Sequence, residues 1–155
     1  MRSRDLSAAL LVVLLGVQPA VATSPQAQKC SRAEFEAVVD AAGASLRALT
    51  QKMKPRFQEK LRKLRDKHRW THEQFMEKAV PYVRDPEIAR FDRTTADLLA
   101  SITSLGEEGA AQKQENCVLL QTLRGHMDSL MRTTEAKWAY MFAKIDKELA
   151  RPAGQ

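Results

Sequence analysis

Apolar residues in this chain recur in steps of three and four over most of its length. Phe35, Val38, Ala42, Leu46, Leu49, Met53, Phe57, Leu61 and Leu64 form one such stripe, which is the spacing of a single helix face held over many turns. Ser31 followed by Glu34 reads as a capping box at its head. Pro55 falls inside the stripe. A proline there removes one backbone hydrogen bond and costs about 3 kcal/mol, yet the phase is kept across it, which predicts one long helix kinked at Pro55 rather than two.

The register changes at Trp70-Thr71. Thr71 with Gln74 forms a second capping box, and Phe75, Met76, Ala79 and Val80 supply an apolar face behind it. Pro81 and the Asp85-Pro86 pair interrupt this second helix, with Asp85 placed to cap a restart and Pro86 at its first position. Ile88, Phe91, Thr95, Leu98, Ile102 and Leu105 then alternate in steps of three and four, the seam of a coiled coil. That seam suits packing within the chain or across a homodimer. Gly106 to Gly109 reads as a turn. A third stripe follows as Cys117, Leu120, Leu123, Met127, Leu130, Thr134, Trp138, Met141, Ile145 and Leu149.

The expected fold class is therefore all-α, an elongated antiparallel bundle of three long helices running up-down-up with coiled-coil-like packing. Each helix would be about 50–60 Å long. Residues 1–22 read as a secretory signal: Arg2 and Arg4 precede the apolar run Ala8 to Val17, Pro19 breaks it, and Ala20-Val21-Ala22 offers a cleavage pattern. The run is shorter than the roughly 20 apolar residues of a membrane span. Residues 23–29 form an expected flexible leader, 30–150 a single helical domain and 151–155 a disordered tail. The chain is thus expected to be exported, periplasmic or secreted, without a membrane anchor.

Export sharpens the reading of the two cysteines, Cys30 and Cys117. In an oxidising compartment a disulfide is expected, and closing so long a loop restricts the unfolded chain by roughly 4–5 kcal/mol in the entropy model. The bridge also selects a topology. If the chain broke fully at Pro55 into four antiparallel helices, the cysteines would sit at opposite ends, beyond the Cα separation of about 7 Å that a disulfide spans. The single Asn116 is in no Asn-x-Ser/Thr sequon, so N-glycosylation is excluded.

Net charge is +6, and one stretch alone carries +7, more than the chain as a whole. Between Gln51 and Trp70 stand Lys52, Lys54, Arg56, Lys60, Arg62, Lys63, Arg65, Lys67 and Arg69, opposed only by Glu59 and Asp66. These cations, with Trp70 at their end, form the candidate partner-binding surface for lipid headgroups, acidic polymers or acidic proteins. The same charges also suit the C-terminal half of a long helix, where cations complement the macrodipole and need bind nothing. Nucleic acid is not an expected partner outside the cytoplasm.

Other chemistry finds little support. His68 and His72 have the spacing of two metal ligands on one helix face, but Thr71 caps a new helix between them and no third ligand is evident. His126 beside Met127 offers a haem axial pair, yet Met127 belongs to the core stripe and no Cys-x-x-Cys-His is present. No metal and no cofactor is expected. No carboxylate pair, nucleophile–histidine pair or glycine-rich phosphate loop stands at a specific spacing, so no enzyme activity is expected. Trp70-Thr71-His72-Glu73-Gln74 resembles the Leu-Thr-x-x-Gln signature of the small periplasmic stress chaperones of the Spy and CpxP type. The match covers five residues, with Trp for the leading Leu, and the capping box explains the same residues. The expected function is a non-enzymatic exported binding protein, chaperone-like, whose basic helix engages acidic or unfolded partners. The alternative is an accessory or immunity-type protein with one dedicated envelope or toxin partner.

Overall fold

The computed structural model describes residues 30–152, and every regular element among them is a helix: α1 (Arg32–His68), α2 (His72–Lys78), α3 (Val80–Val83), α4 (Pro86–Ala111) and α5 (Cys117–Ala150). The expected signal and leader at 1–29 and the last three residues of the expected tail lie outside the described residues. Four helices, α1, α3, α4 and α5, pack against one another, and α2 packs on α3. None of the described helices is long and apolar enough to cross a membrane.

α1 passes through Pro55 as one helix. Gln51 and Pro55 are both exposed, so the Gln51 carbonyl freed by the proline faces water, which can satisfy it. The expected Ser31–Glu34 box does not form. Ser31 stands at the N-cap, but its side chain makes no capping bond, because the Glu34 amide already donates to the Ser31 carbonyl at 2.9 Å. At the other end Arg69 takes a left-handed conformation, φ 53°. The Trp70 amide reaches back to the Arg65 carbonyl and the Arg69 amide to that of Asp66. This pair of bonds is a Schellman motif, which closes orphan carbonyls and turns the chain sharply.

The second capping box does form. The Gln74 amide donates to Thr71 Oγ1 at 3.3 Å, and the Thr71 amide donates to Gln74 Oε1 at 3.0 Å. The prolines then split the expected second helix into α2, α3 and α4, with Pro86 in the first turn of α4 and the Ile88 amide donating to Asp85 Oδ1 at 2.7 Å.

The expected turn at Gly106 to Gly109 is corrected by the structure: α4 continues through both glycines to Ala111, and the connection is 112–116. Asn116 caps α5 by accepting the Leu119 amide at 2.9 Å, so Cys117 is the first residue of its helix. The reason is steric. Gly109 sits against the ring of Phe35, and a Cβ there would lie 2.8 Å from Phe35 Cγ and closer still to the ring edge. The glycine serves close approach of two helices rather than a turn.

The three apolar stripes face inward and close two clusters. One, around the disulfide, joins Cys30, Phe35, Ile102, Leu119, Leu120, Leu123, Met127 and Leu130. The other joins Phe57, Leu64, Ile88, Met141 and Ile145, with Trp70, Tyr82, Trp138, Tyr140 and Phe142 packed against it. Leu64, Leu123 and Ile145 are fully buried, each stabilising by about 1.5–3 kcal/mol. Thr95 and Thr134, the polar members of the second and third stripes, belong to neither cluster. Thr134 instead donates its hydroxyl to the Leu130 carbonyl at 2.8 Å.

Two helical glycines should respond oppositely to the same change. Gly125→Ala, exposed with nothing within 4 Å of an added Cβ, is expected to raise stability by about 1 kcal/mol through helix propensity. Gly109→Ala should lower it by about 1–3 kcal/mol through overpacking against Phe35. Urea unfolding of the two variants checks both signs.

Candidate functional site

The cations of α1 divide by helical position into two stripes flanking its apolar line. Lys52, Arg56, Lys60, Lys63 and Lys67 follow one another in steps of four, four, three and four; Lys54, Arg62, Arg65 and Arg69 lie around the other side. The first stripe is largely engaged within the fold. Lys60 pairs with Asp146 of α5. Arg56 holds its guanidinium 5.7 Å from the Phe142 ring centroid, within cation–π range. Lys63 pairs with Glu59 one turn away at 2.7 Å.

Lys67 is the most committed. Its ammonium donates to the carbonyls of Glu148 at 2.8 Å and Leu149 at 2.9 Å, and to that of Arg151. An ammonium has three donors, and all three are used. Glu148 and Leu149 are in the last turn of α5 and Arg151 is its C-cap, so the acceptors lie at the negative pole of α5, where carbonyls lack the full set of intrahelical donors. That of Glu148 also accepts the Arg151 amide at 3.3 Å. Lys67 is thus a side-chain cap for a helix more than eighty residues further along the chain, a role that no local spacing signals.

The second stripe is freer. Lys54, Arg62 and Arg69 are exposed and make no ion pair or hydrogen bond among the described residues, and the same holds for Lys52 on the first stripe. Arg65 bonds to its neighbour Asp66 at 2.7 Å. Trp70 is half-buried against the second core cluster and stacks on His68, with ring centroids 4.8 Å apart. Its face is therefore covered by the fold.

The two candidate metal histidines are not brought together on one helix face. His68 ends α1 and His72 begins α2, with the Schellman turn between them. His68 Nε2 lies 3.5 Å from Glu148, and His72 is exposed. Among the described residues no group of three or more His, Cys, Asp or Glu is arranged to hold a metal ion. His126 donates from Nδ1 to the Thr122 carbonyl at 3.0 Å, while Met127 is buried in the first cluster.

Sequence reasoning also missed a polar junction. Asp85 caps α4 with Oδ1, and its Oδ2 accepts the Tyr140 hydroxyl at 2.8 Å and the Lys144 ammonium. Lys144 donates in addition to the Pro81 carbonyl. The Ile88 amide, then Lys144 and Tyr140, hold the Asp85 carboxyl down to about 2, while its hydrogen bond to Asp85 pushes the Tyr140 phenol up. The only local sign of this junction was the Asp85-Pro86 start signal; its partners come from α5. The Cys30–Cys117 disulfide is formed, with Cα atoms 4.9 Å apart.

Lys67→Met should destabilise the protein by about 1–2 kcal/mol, since it removes a charge at the α5 terminus together with its hydrogen bonds. Arg62→Met should stay within about 0.5 kcal/mol of the parent. Denaturant unfolding separates the two. Because the Asp85 carboxyl is held below its ordinary value of 3.8, its stabilisation is complete above that value and is lost as pH falls through about 2. Asp85→Asn should lower the melting temperature at neutral pH and flatten the acid limb of the stability profile. No family model, no curated protein and no solved structure matches this chain.

Proposed function

We propose that this chain is a non-enzymatic exported binding protein of chaperone-like character that engages acidic or unfolded protein segments through the basic surface of α1. The observation that carries the reading is the stripe of exposed, unpaired Lys54, Arg62 and Arg69, with half-buried Arg65 bonded to Asp66 among them. Cations needed only for the helix dipole would cluster in its last turn, whereas this stripe extends four turns back along α1. Lys52, also exposed and unpaired, lies on the opposite flank of α1, while Lys60 and Lys67 serve the fold.

The long helices are read as an elongated up-down-up arrangement. The disulfide joins the leading ends of α1 and α5, and Lys67 meets the trailing end of α5, which supports α1 and α5 running the same way. Lys137 of α5 pairs with Asp92 near the start of α4, and Gly109 near its end meets Phe35, which supports α4 running against both. Export is supported by the signal-like residues 1–22 and by the disulfide, which persists in oxidising compartments.

The test is suppression of aggregation of a denatured protein by the purified chain at low and at physiological salt. Exposed charges are screened beyond about 8 Å at physiological ionic strength, so suppression should weaken as salt rises. Reversal of Lys54 and Arg62 to Glu, both exposed and outside the last turn of α1, should weaken it strongly with little change in melting temperature. No suppression at any ratio would overturn the reading in favour of a single dedicated partner, detected as one stoichiometric complex.

A further inference from the structure

At the disulfide end, α1 and α4 leave an open groove of about 480 Å³ between them. Its floor is apolar: Phe35 and Ile102 are buried side chains of the first core cluster, Val39 is 38 % exposed, and Gly106 contributes only backbone. Its rims are acidic, with Glu36 and Asp40 one turn apart on α1 and Glu107 across from them on α4. Asp40 and Glu107 have no ion pair or hydrogen bond among the described residues. Glu36 pairs only with Arg32, and both of those side chains are more than half exposed, so that pair is worth little and is readily exchanged.

We propose that this groove is a docking site for a cationic amphipathic segment of a protein partner, with apolar side chains on one helix face flanked by Lys or Arg. The argument is charge complementarity over an apolar floor. A neutral apolar guest would strip water from the carboxylates and return nothing. An acidic segment or a phosphate-bearing headgroup would meet like charge. A bare metal cation would make no use of the floor. A helix with an apolar stripe and flanking cations meets both requirements at once. The lining on α4 runs from Ile102 to Ala110, about 12 Å of helix axis, enough to seat two turns of guest. Phe35 and Ile102 share a core cluster with the bridged Cys30, so the floor is pre-organised and binding needs little ordering. The surface is distinct from the basic stripe of α1, and the proposal does not rest on the reading of that stripe.

The test uses the whole protein and two labelled synthetic helices of about 18 residues, a length at which a peptide helix is sustainable. One carries Leu at helical spacing with Lys between; the other replaces each Lys by Glu. Fluorescence anisotropy should show binding of the Lys peptide and none of the Glu peptide. The double variant Asp40→Lys, Glu107→Lys should weaken the Lys peptide by about tenfold or more. Gly106→Leu, whose Cβ has room 3.9 Å from Val39 Cγ2, should fill the groove and abolish binding. Reversal of Lys54 and Arg62 should leave peptide affinity unchanged, which separates failure here from failure of the basic-stripe reading. Equal affinity of the charge-reversed variant, or equal binding of the Glu peptide, would overturn the proposal. Sedimentation showing self-association of the parent that Gly106→Leu removes would also overturn it, because the occupant would then be a second copy of this chain.

Discussion

The bridge between Cys30 and Cys117 fixes where α1 and α5 begin relative to each other, and the rest of the packing follows from that alignment. It closes a loop of 87 residues, a constraint worth roughly 4–5 kcal/mol against the unfolded chain in the entropy model. With the two leading ends held together, the stripes of α1 and α5 lie in register along their length. Lys67 then comes opposite the last carbonyls of α5, and Lys60 opposite Asp146. A shift of one turn, about 5.4 Å, would separate both sets of partners.

Between those ends the core is divided. Aliphatic side chains, a methionine and the single ring of Phe35 close the disulfide end, and rings gather at the other, where Phe57 meets Trp138 and Phe142 edge-on at centroid separations of 5.8 and 5.7 Å. The seam positions at the join hold Thr95 and Thr134. The same division appears in the charges. The basic half of α1 overlies the aromatic cluster, while Glu34, Glu36, Asp40, Glu107 and Glu108 gather at the disulfide end. One molecule thus presents a basic stripe at one end and an acid-rimmed apolar groove at the other.

Several side chains do work that their residue type alone would not suggest. Gly109 gives α4 close access to Phe35. Asp85 begins one helix and, through Tyr140 and Lys144, ties it to another. Lys67 ends a helix to which it does not belong. In each case a helix-end group or a missing side chain is completed from a distant part of the chain. That makes the junctions interdependent.

What the sequence determined by itself is what helix formation decides locally. The three apolar stripes, the Thr71 and Asp85 caps, the passage through Pro55 and the break at Trp70-Thr71 all depend on residues within a turn or two of each other, so spacing alone reveals them. The cysteine pairing was legible as well, because the signal-like leader implied an oxidising compartment and only two thiols were present. The candidate site was legible only as a concentration of charge. Which cations remain exposed and which are used up depends on what α5 brings alongside α1, and no spacing within α1 records that. For the same reason the glycines near position 109 read as a turn. Glycine signals backbone freedom and close approach with one letter, and only the arrival of Phe35 from the first helix decided between them. The acidic groove was invisible for a parallel reason: its two rims lie more than sixty residues apart, and tertiary packing alone sets them face to face.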